Sequence, residues 1–187
     1  MSITVAILSG SPNPQSRLAG VISHLERRLA ERGATVDHLA AAALPAEDLI
    51  LGRFDSHAVR EAIERVARAD AVVVASPVYK ASCTGLLKTL LDLLPQKSLE
   101  GKTVLPVMIG GTIAHLLAIG FALKPVLSAL GARHFAGEVY ALDTQVSRTE
   151  SPSGASYELQ EELRQRLDAA VEKLVEETRA AESAPLV

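Results

Sequence analysis

An unbroken apolar run, Ile3 to Leu8, stops at Ser9-Gly10-Ser11-Pro12-Asn13-Pro14-Gln15-Ser16-Arg17, and past Ser16 apolar residues recur at Leu18, Val21, Ile22, Leu25 and Leu29. The first segment has the composition of a strand buried on both faces, the second the period of an amphipathic helix. A buried strand that runs through a polar loop into a helix collects free backbone N–H groups and the positive helix end at one spot. Ser9, Ser11 and Ser16 add hydroxyl donors there, and Arg17 a fixed charge with a planar donor fork. This is the chemistry of a phosphate site. The glycine spacing fits neither G-x-G-x-x-G nor G-x-x-x-x-G-K-[ST], which favours a single phosphate over a dinucleotide or triphosphate. The same residues also describe an ordinary βα turn with a serine cap.

The alternation continues to the end of the chain. Strands are predicted at Thr35–Leu39, Ala71–Ser76, Thr103–Ile109 and Phe135–Leu142. Helices are predicted over His57–Ala69, with Ser56 as its cap, over Thr84–Leu94, over Leu116–Leu130 and over Tyr157–Ala180. Ser147–Ser156 reads as a loop and Ser183–Val187 as a frayed tail beyond one domain spanning residues 1–182. Five strands with intervening helices give an α/β fold, a doubly wound parallel sheet with helices on both faces, and the flavodoxin-like order 2-1-3-4-5 suits that number. In such sheets ligands bind beyond the carboxyl ends of the strands, so three loops should meet: Ser9–Arg17, Pro77–Thr84 and Gly110–Thr112.

Composition narrows the function. A net charge of −3 without long runs of one sign gives a nucleic-acid surface no support. One cysteine, Cys83, excludes an internal disulfide or a cysteine-rich zinc site, and His24, His38, His57 and His134 show no metal-ligand spacing. The start of the chain is too short and uncharged for a signal peptide, and the longest apolar candidate, Ile113–Leu130, is interrupted by His115, Gly120, Lys124 and Pro125. A cytoplasmic location is expected. No Ser-His-acid set is evident along the chain.

Within the second loop, Pro77 fixes a turn just past the strand, Tyr79 offers an amphipathic ring beside Val78 and Lys80, and Gly85 permits close backbone approach. Gly110-Gly111-Thr112 places two residues without a Cβ at the next strand end. Gly10-Ser11-Pro12…Ser16-Arg17, Pro77-Val78-Tyr79-Lys80…Gly85-Leu86-Leu87-Lys88…Asp92 and Gly110-Gly111-Thr112, in this order, resemble the NADPH-dependent FMN reductase family of flavodoxin-like proteins. Ala46–Phe54 and Ala114–Leu127 are similar to the reductase partner of two-component alkanesulfonate monooxygenases. The resemblance extends to about Val146. It implies that Ser9, Ser11, Ser16 and Arg17 hold the FMN phosphate, that Pro77, Val78, Tyr79 and Lys80 line the isoalloxazine, and that Gly110, Gly111 and Thr112 meet its other edge.

It also implies hydride transfer from NADPH or NADH to flavin N5, with the cofactors carrying the chemistry. Reduced FMN would then leave for a flavin-dependent monooxygenase. A quinone or azo-dye reductase that retains FMN is the alternative enzyme, and a flavodoxin-type electron carrier the non-enzyme alternative. The absence of Trp and an aromatic content of 3% speak against a carrier that clamps its flavin between rings. A receiver-type signalling domain would need acids where Ser9-Gly10 and Ser76-Pro77 stand.

The subgroup usually carries a Tyr where this chain has Phe121, an aromatic associated with a π-bulge and a subunit interface. Independently, Pro125 would clash with the Phe121 carbonyl in a straight helix, and Gly120 weakens the same turn. From Ala114 to Leu130 only His115, Lys124 and Ser128 are polar, so this helix is expected to pack against another subunit in a dimer or tetramer.

Overall fold

The computed structural model describes residues 2–152 and 154–183. Its sheet comprises β1 (Thr4–Ser9), β2 (Thr35–Ala40), β3 (Ala71–Pro77), β4 (Thr103–Gly110), β5 (His134–Phe135) and β6 (Val139–Leu142). All pairings are parallel, in the order β2-β1-β3-β4-β5, with β6 also on β4. The sheet order is the one expected from the sequence, and the central strands are buried, except at Thr4 and Pro77, because helices cover both faces.

One face packs Val5, Ile7, Val73 and Leu105 against α1 (Arg17–Glu31) and the C-terminal helix. The other packs Leu8, Val72, Val74 and Met108 against α3 (His57–Arg68), α4 (Gly85–Leu93) and α5 (Lys124–Ala129). A short α2 (Ala46–Ile50) leads toward α3. Ser56 precedes α3 but does not cap it: its hydroxyl donates to Asp48 Oδ2 at 2.5 Å, tying the α2 segment down instead.

The last predicted strand is split. Val104 pairs with Phe135 and Val107 with Val139, so three residues, Ala136 to Glu138, stand opposite two, Leu105 and Pro106. Gly137 takes φ +101° in the extra loop. Pro106 cannot donate to a ladder, and the break falls beside it. The anticipated irregular helix is present: Ile119–Leu123 forms a π-helical turn leading into α5, with Pro125 near the start of the regular helix.

Two expectations fail near the C-terminus. Ser147–Ser156 is not a loop but most of an antiparallel hairpin, β7 (Val146–Ser151) and β8 (Gly154–Leu159). The last helix, α6 (Glu161–Ser183), therefore begins after Leu159 instead of at Tyr157. Tyr157 and Leu159 fit the helical period by coincidence, yet their alternate placement on β8 turns both inward. Of the supposed tail, Ser183 ends α6, and residues 184–187 lie outside the described residues.

Tyr157 sits directly on Gly20 of α1, where a Cβ would come within 2.6 Å of Tyr157 Cβ and 2.7 Å of its Cγ. Gly20→Ala gains about 1 kcal/mol of helix propensity, but displacing the packed ring costs about 1–3 kcal/mol. The substitution should lower Tm in thermal melts. Adding Tyr157→Ala should cost less in that background than in the wild type.

Candidate functional site

The β1 loop is built around a glycine that has no room for a side chain. Gly10 donates to the Ala75 carbonyl at 2.9 Å, continuing the sheet, and a Cβ there would overlap Leu87 Cβ on α4. Thr84, buried at the N-cap of α4, fastens this approach. Its hydroxyl donates to the Gly10 carbonyl at 2.6 Å and accepts from the Leu87 N–H at 3.0 Å. The Thr84 N–H donates to Ser76 Oγ at 3.0 Å, so the ends of β1 and β3 are joined through one residue.

Farther along, Asn13 organises the loop. Its Oδ1 accepts from the Gln15 N–H at 2.9 Å, and its carbonyl accepts from Ser11 Oγ at 2.8 Å and the Ser16 N–H at 3.1 Å. The Ser11 and Ser16 hydroxyls touch at 2.9 Å. Ser16 is the N-cap of α1 but makes no side-chain cap bond, which leaves its hydroxyl with the loop. The first turn of α1 contains no acid. Arg17 donates through Nε to the Val146 carbonyl at 3.0 Å and forms no ion pair among the described residues. Positive charge at this helix end is thus not neutralised from within.

Past β3 the chain makes a tight two-residue turn. Tyr79 and Ser82 exchange N–H···O bonds of 2.9 and 3.1 Å, while Lys80 and Ala81 adopt φ of 51° and 60°. Among the described residues these are the only non-glycine positions in the left-handed region, a conformation that side chains tolerate at a cost of about 1–2 kcal/mol each. The turn leaves Tyr79 53% exposed. Val78 is tied to the end of β4 through its N–H to the Ile109 carbonyl at 2.8 Å.

Beyond β4, the reason for Gly110 is packing: a Cβ there would overlap the buried Tyr140 hydroxyl. That hydroxyl donates to the Thr112 carbonyl at 2.7 Å, and burial, helped by Asp143, pushes its pKa above the usual phenol value. Gly111 faces open space apart from Asp143, and Thr112 Oγ1 accepts from the Ala114 N–H at 3.2 Å.

Asn13 and Ser16 together form the wall between two small clefts. One, about 270 Å³, is lined by Arg17, Pro77, Tyr79, Ile109, Asp143 and Arg148. The other, about 240 Å³, takes in Ser9, Ser11, Glu26, His38 and the small residues Ala40 and Ala42. The structure therefore divides the residues nominated from sequence. Ser9 and Ser11 open on one side of the loop, Arg17, Pro77 and Tyr79 on the other, and Ser16 reaches both. Val78, Lys80, Gly110, Gly111 and Thr112 line neither cleft. A larger surface groove, about 730 Å³ between α1 and β8, involves none of the three loops.

Several participants escaped sequence reasoning. Ser9 Oγ lies 2.8 Å from His38 Nε2, and His38 Nδ1 lies 3.0 Å from Glu26 Oε1, so a Ser-His-acid chain does exist. Its members are far apart in sequence, but parallel pairing of β1 with β2 sets Ile7 beside His38 and brings the histidine to the end of Ser9's strand. Asp143 and Arg148 come from the segment after β6 and from the hairpin. Arg148 pairs with Glu150 at 2.7 Å, which raises its pKa further. No group of metal-ligating side chains occurs among the described residues.

Residues 3–147 match the family model for NADPH-dependent FMN reductases. The chain is 44% identical over 168 residues to an FMN reductase (NADPH) of Pseudomonas putida, covering 90% of this chain and 84% of that one. It is 47% identical over 142 residues to an FMN reductase (NADPH) of Escherichia coli, covering 76% and 74%. Among solved structures, apo NADH:FMN oxidoreductase (EMOB) superposes with a TM-score of 0.80 at 31% identity, covering 98% of this chain and 92% of that one.

Thr84 gives the site its first test. Thr84→Val keeps the shape but leaves the Gly10 carbonyl and Leu87 N–H without partners, at about 1–3 kcal/mol. Denaturant unfolding should show that loss, and Thr84→Ser should recover most of it.

Proposed function

The chain belongs to the NADPH-dependent FMN reductase family, and we propose that it produces reduced FMN for release to a separate flavin-dependent monooxygenase. Membership makes it an oxidoreductase that uses FMN and NAD(P)H. Alkanesulfonate desulfonation in the cytoplasm is the proposed setting, by resemblance to that subgroup. Among the described residues no helix is long and apolar enough to cross a membrane.

The observation that carries the site assignment is the meeting of an acid-free helix end, hydroxyls and an unneutralised Arg17 with the exposed Tyr79 across one wall of loop. That donor set fits a phosphate ester attached to a flat ring system. Ser9, Ser11, Ser16 and Arg17 would hold the phosphate. Pro77, Val78, Tyr79 and Lys80 would line the ring, with Gly110, Gly111 and Thr112 at its other edge. The chemistry that the bound group supplies is acceptance of hydride from the nicotinamide. What the chain supplies is position: the rigid turn at Tyr79–Ser82 and the Thr84 clasp hold the two loops at a set spacing. Among the described residues Tyr79 is the sole Phe, Tyr or Trp lining either cleft, which supports exchange of the flavin over permanent retention.

Self-association through residues 113–130 belongs to the same proposal. Ile113 and Leu117 are 62% and 63% exposed and Phe121, on the π-helical turn, 80%. A second copy covering these side chains would remove them from water.

Two measurements check this reading. Arg17→Ala should weaken FMN binding roughly ten- to a hundredfold, as expected for a charge-assisted phosphate contact, and leave riboflavin binding nearly unchanged. Equal losses for both flavins would place Arg17's role in the fold, through its bond to Val146. For the interface, sedimentation of the wild type at micromolar concentration should show a dimer or tetramer, and Phe121→Ala should shift it toward monomer. A wild-type monomer would overturn the assignment of residues 113–130.

A further inference from the structure

We propose that His38 and Glu26 control which way the hydroxyl proton of Ser9 points, making the β1 loop a better phosphate site when His38 is protonated. The inference rests on the assignment of that loop to the FMN phosphate. Ser9 is 5% exposed and lines the cleft shared with Ser11 and Ser16.

The donor count decides the rest. The Glu26 carboxylate can only accept, so His38 Nδ1, 3.0 Å away, carries a proton. When the imidazole holds just that proton, Nε2 presents a lone pair, and Ser9 Oγ at 2.8 Å must donate to it. Ser9 has one proton, and in this state it is committed to His38. A second proton on the ring reverses the bond: Nε2–H donates to Ser9 Oγ, and the hydroxyl is free to donate into the cleft. An anion beside Ser11 and Ser16 then meets a donor backed by an imidazolium, while Glu26 balances the ring's charge. Binding a phosphate monoester therefore takes up a proton at His38.

The surroundings leave this chain in charge of Ser9. From α1, Glu26 pairs with the ring. The neighbouring Asp37 alternates to the other face of β2 and pairs with Arg65 of α3, which holds its carboxyl below the usual range. Arg65 touches His38 only through the backbone, donating to its carbonyl at 2.9 Å. The order of hydroxyl, imidazole and acid is also that of an acyl-transfer triad. Here, however, the N–H after the serine is occupied, because Gly10 donates to Ala75, so the usual oxyanion donor is missing. The chain orients a hydroxyl.

The test is the affinity of the wild type for FMN and for riboflavin, followed by flavin fluorescence from roughly pH 8.5 to 6.5. The ligand's own second phosphate ionisation lies lower, near about 6. The ratio of FMN to riboflavin affinity should rise several-fold as pH falls, by at most about tenfold per pH unit for one proton. In His38→Gln and in Ser9→Ala the ratio should stay flat over this window. Glu26→Gln still accepts from Nδ1 but lacks the charge that favours the imidazolium, so the rise should move to lower pH. A wild-type preference for FMN with the same pH dependence in His38→Gln overturns the inference and leaves the phosphate site standing. No preference for FMN at any pH overturns the phosphate site, and the inference with it.

Discussion

The hydroxyl of Thr84, donating to the Gly10 carbonyl while accepting from the Leu87 N–H, is the contact on which the geometry of the strand ends depends. It sits where two loops and a helix N-terminus converge out of water, so each of its bonds replaces one that solvent cannot supply. Gly10 has to be a glycine because α4 comes this close, and α4 comes this close because Thr84 caps it with the oxygen that also holds Gly10. Ser76 extends the tie to β3 through the Thr84 N–H. Removing any one of the three loosens the other two. The strand-end loops can be polar and irregular because their roots are joined in this way.

Charge is distributed with the same economy around the β1 loop. The helix end has no acid in its first turn, and Arg17, Arg148 and Asp143 line the cleft on one side of the loop. On the other side the hydroxyls of Ser9, Ser11 and Ser16 share the cleft lining with the hydrogen-bonded His38 and Glu26. The two clefts on either side of Asn13 and Ser16 thus differ in kind, one lined by fixed guanidinium charge and the other by hydroxyls. The exposed turn at Tyr79 contributes rigidity, since its left-handed Lys80 and Ala81 persist only while the paired Tyr79 and Ser82 hold them.

Most of the sheet was legible because a strand buried on both faces must be a continuous apolar run, and β1, β3 and β4 are such runs. The three strand-end loops followed from topology. What sequence missed was the hairpin: Ser147–Ser156 reads as a loop, Tyr157 and Leu159 satisfy the helical as well as the strand period, and the deciding contact, Tyr157 on Gly20, is tertiary. Ser56 looked like a cap, and only the approach of Asp48 redirected its hydroxyl. Gly110 looked like a position cleared for a ligand, while its neighbour is Tyr140. The Ser9–His38–Glu26 chain was hidden for the same reason: register between strands, not spacing along the chain, brings it together.

The break between β5 and β6 reaches beyond the local comfort of Pro106. The far margin of the sheet consists of a two-residue and a four-residue ladder separated by a loop that carries Gly137 and Glu138. A neighbouring chain seeking to extend the sheet would find no long, flat row of free N–H and C=O groups to copy. At high protein concentration that margin resists the runaway strand-on-strand stacking to which parallel sheets are otherwise exposed. At this margin a second chain could join only through side-chain faces, which recognise their own complement, and not through backbone templating, which any sequence can join.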